Sequence, residues 1–125
     1  MNQAKALGQE GEQTTAKYLK KQGYQIIEQN FRTRFGEIDL IAKKDNVLVF
    51  IEVKARIGSE DFGQAEWAIS RRKIIQVKRM AQVYLVKKQP DYQNLRIDAV
   101  TIIFSPEGKI ISLKHWQNLT AELKI

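Results

Sequence analysis

The chain predicts an α/β fold, with a sheet of about five strands flanked by helices in the order helix, strand, strand, strand, helix, strand, strand. Three observations carry this expectation. Two long stretches place apolar residues at spacings of three and four, as amphipathic helices require. Five β-branched-rich segments are set off by Gly, Pro, Asn or Asp. One of these segments, Val47 to Lys54, is apolar on both sides, as a central strand covered on both faces must be.

The first helix is expected between Asn2 and Gln22, where Leu7, Gly11, Thr14, Thr15, Tyr18 and Leu19 recur on one side with Lys and Gln between them. Gly23 supplies its stop. Tyr24 to Phe31 follows as a strand with Ile26 and Ile27 as its apolar part, and Gly36 separates it from the next. Glu37 to Lys43 and Val47 to Lys54 form a hairpin joined by the polar residues Lys44, Asp45 and Asn46. After a loop containing Gly58, Ser59, Asp61 and Gly63, a second helix is expected from Gln64 to about Lys88. Its apolar positions are Ala65, Ala68, Ile69, Ile75, Met80, Ala81, Tyr84 and Leu85, and Pro90 stops it. Leu95 to Phe104 and Ile110 to Leu113 are the remaining strands, joined by a turn holding Pro106 and Gly108, and a short helix is expected around Trp116 to Leu123.

With 125 residues, 43% of them hydrophobic, the chain suits one compact domain over 1–125. Twenty-one Lys and Arg against fourteen Asp and Glu give a net charge of +7, which favours a polyanionic partner such as nucleic acid. The chain has no cysteine, which excludes disulfides, thiolate catalysis and Cys-ligated zinc. No apolar run approaches the roughly 20 residues of a membrane helix. The start of the chain lacks a signal-peptide apolar stretch, so a soluble cytoplasmic protein is expected. Gly-rich phosphate loops, dinucleotide fingerprints and Ser-His-Asp sets are absent from the sequence, which disfavours ATP-driven and acyl-transfer chemistry.

Within the hairpin, Asp39 sits between Ile38 and Leu40, and Glu52 between Ile51 and Val53, in strands otherwise built for burial. A buried carboxylate shifts its pKa or finds a cation. A two-residue turn at Asp45 and Asn46 pairs Lys44 with Val47 and sets Asp39 across from Glu52, about 5 Å apart. A turn at Lys44 and Asp45 makes Glu52 face Glu37 instead, with Asp39 on the diagonal. In both registers Asp39, Glu52 and Lys54 share one face. Hard oxygen ligands without His or Cys suit Mg²⁺ or Mn²⁺. Lys54, two residues past Glu52, projects to the same side and can orient an attacking water or stabilise charge on a phosphoryl oxygen. Without Asp39 at matching parity, Glu52-Val53-Lys54 is an ordinary solvated strand end with a weak ion pair.

The run Gly36-Glu37-Ile38-Asp39-Leu40-Ile41, followed by Phe50-Ile51-Glu52-Val53-Lys54 and Arg56, resembles the YraN-like family of small bacterial proteins. That family belongs to the PD-(D/E)xK nuclease superfamily and is similar to archaeal Holliday junction resolvases. Gly11-Glu12, Tyr18-Leu19, Gly23-Tyr24, Asn30-Phe31-Arg32, Phe62-Gly63, Lys73 and Arg96-Ile97-Asp98 fall in family order, so the likeness covers nearly the whole chain. It departs at Thr15, where Ala is usual, and at Ala55, where a hydroxyl residue is frequent. The resemblance implies a restriction-endonuclease-like mixed sheet flanked by helices. It implies Asp39 and Glu52 as metal ligands, the Val53 carbonyl as a further ligand, Lys54 as the catalytic lysine and Glu12 as the additional acid of the superfamily.

The expected activity is therefore a Mg²⁺-dependent endonuclease acting on DNA, branched or structured DNA included. Arg56, Arg71, Arg72, Lys73, Lys78 and Arg79 are the expected phosphate-binding residues, holding the backbone without reading bases. Cleaving both strands of a junction would be simplest for a symmetric dimer. A competing expectation is a non-catalytic nucleic-acid-binding module with the same fold, and a third is a protein-interaction scaffold. Asp98, in an apolar strand, is expected to pair with Arg96 or a helix lysine. Phe35, Phe62 and Trp67 divide between base stacking and core packing. His115, the one histidine, is assigned no function.

Overall fold

A computed structural model describes residues 3–58 and 69–120. The elements are α1 (Gln3–Lys21), β1 (Gln25–Thr33), β2 (Gly36–Lys44), β3 (Val47–Ile57), α2 (Arg71–Lys88), β4 (Asn94–Phe104) and β5 (Ile110–Trp116). The strands form one sheet in the order β1-β2-β3-β4-β5, antiparallel except for the parallel β3–β4 pair. This is the expected α/β mixed sheet flanked by helices. No helix among the described residues is long and apolar enough to cross a membrane.

Each helix covers one face of the sheet. Ala16 and Leu19 of α1 pack with Leu40, Ala42, Val49, Ile51, Val100 and Ile102. On the opposite face, Ile74, Val77, Met80, Ala81 and Tyr84 of α2 pack with Phe31, Ile38, Ile41, Leu48, Phe50 and Ile97. β3 is thus central, and its residues from Leu48 to Ile51 are buried whichever way they point.

The hairpin register is the one set by a two-residue turn. Lys44 pairs with Val47, and both Asp45 (φ 52°) and Asn46 (φ 62°) adopt the left-handed backbone that such a turn demands. α1 stops at Gly23, whose φ of 94° glycine adopts without strain, and the Tyr24 amide closes back on the Leu19 carbonyl at 2.9 Å.

Several boundaries differ from expectation for identifiable reasons. α2 begins at Arg71, because Ser70 has extended backbone and its hydroxyl accepts the Lys73 amide at 3.1 Å, a helix N-cap. Ile69 precedes the cap, and residues 64–68 of the expected helix lie outside the described residues, as do Phe62 and Trp67. The cap resets the helical phase, so Ile74 is buried and Ile75 is 42% exposed. In β1 a bulge between Ile26 and Glu28 turns Ile27 outward, leaving only Ile26 packed on the α1 side. β1 continues to Thr33 and β5 to Trp116, each held by its pairing with a neighbour. Of the expected C-terminal helix, residues 119 and 120 have helical backbone, and the remainder lies outside the described residues.

Candidate active site

The β2–β3 ladder runs from Lys44↔Val47 to Leu40↔Ile51. Continued, it would set Asp39 against Glu52 and Ile38 against Val53. It does not continue: the Val53 amide donates instead to Asp39 Oδ2 at 2.8 Å. A side-chain carboxylate stands where a backbone partner would be.

Across β1, the residue opposite Asp39 is Asn30, which is left-handed at φ 54°. Strand alternation breaks at this point. Ile38 and Leu40 are two residues apart and should share a face, yet Ile38 packs in the α2-side core and Leu40 in the α1-side core. The expectation of common parity for Asp39, Glu52 and Lys54 assumed regular alternation, which this irregularity removes. Asp39 and Glu52 remain close enough for the Asp39 charge to raise the Glu52 pKa.

Glu12 reaches the same place from α1. The helix approaches β3 so closely at Gly11 that a Cβ there would lie 2.7 Å from the Ala55 Cβ, a distance no real pair sustains. Small residues on both sides therefore let α1 carry Glu12 to the end of the ladder. One carboxylate oxygen each from Glu12, Glu37 and Asp39 lies within 4.8 Å of the other two. Glu37 was not among the expected ligands. Its sequence signals were its position two residues before Asp39 and its place opposite Glu52 in the alternative register of the hairpin.

Burial is the main reason Glu12, Asp39 and Glu52 resist ionisation. It raises the Glu12 pKa, with Asp39 adding to the effect and a hydrogen bond from Asn30 opposing it. Asp39 is raised by burial, held back by the Val53 amide, and raised further by Glu37. Glu52 is pushed up to about 7 by burial and by the Asp39 charge, against the pull of Lys73 and Lys54.

Glu52 lies outside the tight set of three. Its Oε1 is 3.7 Å from Lys73 Nζ, while its Oε2 is buried with no hydrogen-bond partner among the described residues. An orphaned, buried carboxylate oxygen next to an oxygen-only cluster fits a hard divalent cation. Lys73, expected as a phosphate contact, is thus an ion-pair partner of Glu52. Lys54 is close enough to stabilise the Glu52 charge. Alternation along β3 carries Arg56 to the same side as Glu52 and Lys54.

The basic residues of α2 differ in their surroundings. Arg71, Arg72 and Arg79 are exposed and Lys78 is half-buried. Lys78 lines a cavity of about 250 Å³ beside Leu85, Leu95 and Arg96. Arg79 instead lies over the Phe35 ring, 5.3 Å from its centre.

Asp98 is fully buried and has a structural role, in the expected pairing with Arg96. The Arg96 guanidinium donates to both of its oxygens, at 2.9 and 3.0 Å, and the Asn118 amide donates to Oδ1 at 2.9 Å. His115 Nε2 lies 2.7 Å from Oδ2, so the histidine left without a role joins this network. Tyr18 and Tyr24 of the α1 side complete it through His115 Nδ1 and the Arg96 guanidinium. Burial alone would raise the Asp98 pKa, but the bonds from His115, Arg96 and Asn118 outweigh it and the net shift is downward.

Fold and site together define a small α/β protein with a carboxylate cluster at a break in its central hairpin. The chain belongs to the family described as "Uncharacterised protein family UPF0102", which it matches over residues 11–102. It is similar to a UPF0102 protein of Syntrophus aciditrophicus, 42% identical over 113 residues, covering 90% of this chain and 88% of that one. It is also similar to a UPF0102 protein of Dictyoglomus thermophilum, 39% identical over 114 residues, covering 91% and 96%. A third, from Syntrophomonas wolfei, is 44% identical over 103 residues, covering 82% and 88%.

Proposed function

We propose that the chain is a Mg²⁺- or Mn²⁺-dependent endonuclease of the PD-(D/E)xK kind that cleaves phosphodiester bonds in DNA, branched or structured DNA included. The observation that carries this reading is the meeting of Glu12, Glu37 and Asp39 where the β2–β3 ladder opens, with Glu52 and Lys54 of β3 within electrostatic reach. A fold that needed only stability would not gather partly buried carboxylates whose burial and mutual repulsion outweigh the lysines beside them.

Asp39 and Glu52 would hold the ion, with Glu12 or Glu37 and the Val53 carbonyl as further oxygen donors. Bound there, it would neutralise the negative charge that develops on the phosphate during cleavage. Lys54 orients the attacking water and faces a phosphoryl oxygen as the water oxygen bonds to phosphorus and the bond to the leaving oxygen breaks. A net charge of +7 draws the polyanion to the surface.

The test is incubation of duplex, nicked, flap and four-way DNA with Mg²⁺ or Mn²⁺. Cleavage lost in both Asp39→Ala and Glu52→Ala supports the reading, and cleavage that survives either substitution rejects it. The Lys73–Glu52 contact at 3.7 Å favours a second reading, a non-catalytic nucleic-acid-binding module in which lysine permanently supplies the cation. Titration calorimetry with Mn²⁺ separates the two, because only the enzyme needs a metal site that Asp39→Asn weakens.

A further inference from the structure

We propose that Arg34 and Arg79, both laid against the ring of Phe35, form a clamp for the phosphodiester backbone of a nucleic-acid strand at the tip of the β1–β2 hairpin. The two guanidinium carbons lie 5.2 and 5.3 Å from the ring centre, one arriving from the hairpin and the other from α2. A guanidinium held over an aromatic ring by its positive charge makes no hydrogen bond to that ring and keeps its N–H donors for other acceptors. Guanidinium donors are the ones that grip a phosphate in pairs.

The ring itself is fixed. Phe35 packs against the α2-side core, its amide donates to the Thr33 hydroxyl at 2.9 Å, and its carbonyl accepts from the Gln76 side chain. Phe35 is therefore a positioning residue, holding two long, otherwise mobile side chains in one orientation. Neither arginine has a carboxylate partner among the described residues.

An open groove of about 410 Å³ adjoins the clamp, where Arg32, Arg34 and Lys87 surround Phe31, Phe35 and Val83. A second groove, of about 400 Å³, shares Val83 and Lys87 with it and adds Arg79. Among the described residues, four cations line these grooves and no acid does. Cations gathered this way repel one another until a polyanion covers them. The surface also leads to the carboxylates: Arg32 contacts Glu37 at 3.2 Å, and four strand residues from Phe35 to Asp39 span about 13 Å. The choice of nucleic acid among polyanions rests on the nuclease reading, whereas the clamp itself rests on the two arginines gathered on one ring.

The experiment is fluorescence anisotropy of the full chain with labelled duplex DNA and duplex RNA in EDTA, where cleavage plays no part, with heparin as a non-nucleic polyanion. The Arg34→Ala/Arg79→Ala variant should bind duplex at least tenfold more weakly, with a salt slope smaller by about 2. Phe35→Leu, which keeps both charges, should weaken binding several-fold while leaving that slope in place. Both arginines are exposed, so the double variant should fold normally, as a melting curve checks. Three results would overturn the proposal: wild-type binding in the double variant, no duplex binding by the wild type at low salt, or an equal loss towards heparin. The nuclease reading fails separately, by the absence of a metal-dependent product that needs Asp39.

Discussion

The Asp39 carboxylate accepts the Val53 amide at 2.8 Å, one step beyond the last regular pair of the β2–β3 ladder. The acid serves two purposes at once, finishing a backbone ladder and facing Glu12 and Glu37. Substitutions should separate these roles. Asp39→Asn keeps an acceptor for Val53 and removes a repelling charge, so in EDTA its stability should equal or exceed that of the wild type. Asp39→Ala leaves the amide unpaired and should be less stable than the Asn variant by about 1–3 kcal/mol. Urea denaturation measures both, and an Ala variant at least as stable as the Asn variant would contradict the ladder role.

Glu52 gives stability a pH dependence of defined sign. Its pKa rises from the ordinary 4.5 to about 7, so the folded state holds a proton that the unfolded chain has lost. Stability from this group is fully present below pH 4.5 and declines as pH rises to about 7, by roughly 3 kcal/mol. Glu52→Gln should therefore gain stability over the wild type at pH 8 and show no gain at pH 4. Saturating Mn²⁺ should stabilise the wild type at pH 8 and leave Glu52→Gln little changed. Identical stability–pH curves for the two proteins would refute the assignment.

The approach of α1 to β3 should be sensitive to a single methyl group. Gly11→Ala places a Cβ 2.7 Å from that of Ala55, and either the helix or the strand must shift. A loss of about 1–3 kcal/mol is expected, with most of it recovered in Gly11→Ala/Ala55→Gly. Thermal melting of the singles and the double closes the cycle, and strictly additive effects would show that the two positions do not meet.

Removing the charge of Asp98 should be the most damaging of these changes. Asp98→Ala leaves the half-buried Arg96 and the buried His115 side chain without their shared partner, and a loss of about 3–5 kcal/mol is expected. Since the Asp98 pKa is lowered, its contribution is present above pH 3.8 and falls away as pH drops through the folded-state value. Urea denaturation at neutral pH tests this, and a loss below about 1 kcal/mol would make the network incidental.

The parts of this architecture that were legible in the sequence depend on near neighbours. Asp45 and Asn46 fix the turn, the turn fixes the register, and the register marks Asp39 and Glu52 as acids in strands made for burial. Arg96 and Asp98, two residues apart on one strand, met as expected. The remainder depends on approaches that no local pattern records. Glu37 joins Glu12 and Asp39 because α1 sits close at Gly11 and because alternation fails opposite Asn30. Lys73 reaches Glu52 because Ser70 caps α2 later than the apolar periodicity suggested. His115 had no visible partner, since Asp98 lies seventeen positions away on the neighbouring strand.

The parallel pairing of β3 with β4 also sets an order of assembly. β1, β2 and β3 follow one another through tight turns, whereas residue 57 must wait for residue 104 before their rungs can close. Local hairpins form in microseconds, and distant strands pair only after a large loop has been drawn in. Pulse-labelled amide exchange during refolding should therefore protect Ile41 and Phe50 before Ile97 and Val100, and the reverse sequence would disprove this route. Three of the four acids would then gather on a nascent meander ahead of the rest of the molecule, making their mutual repulsion a brake on the earliest stage of folding.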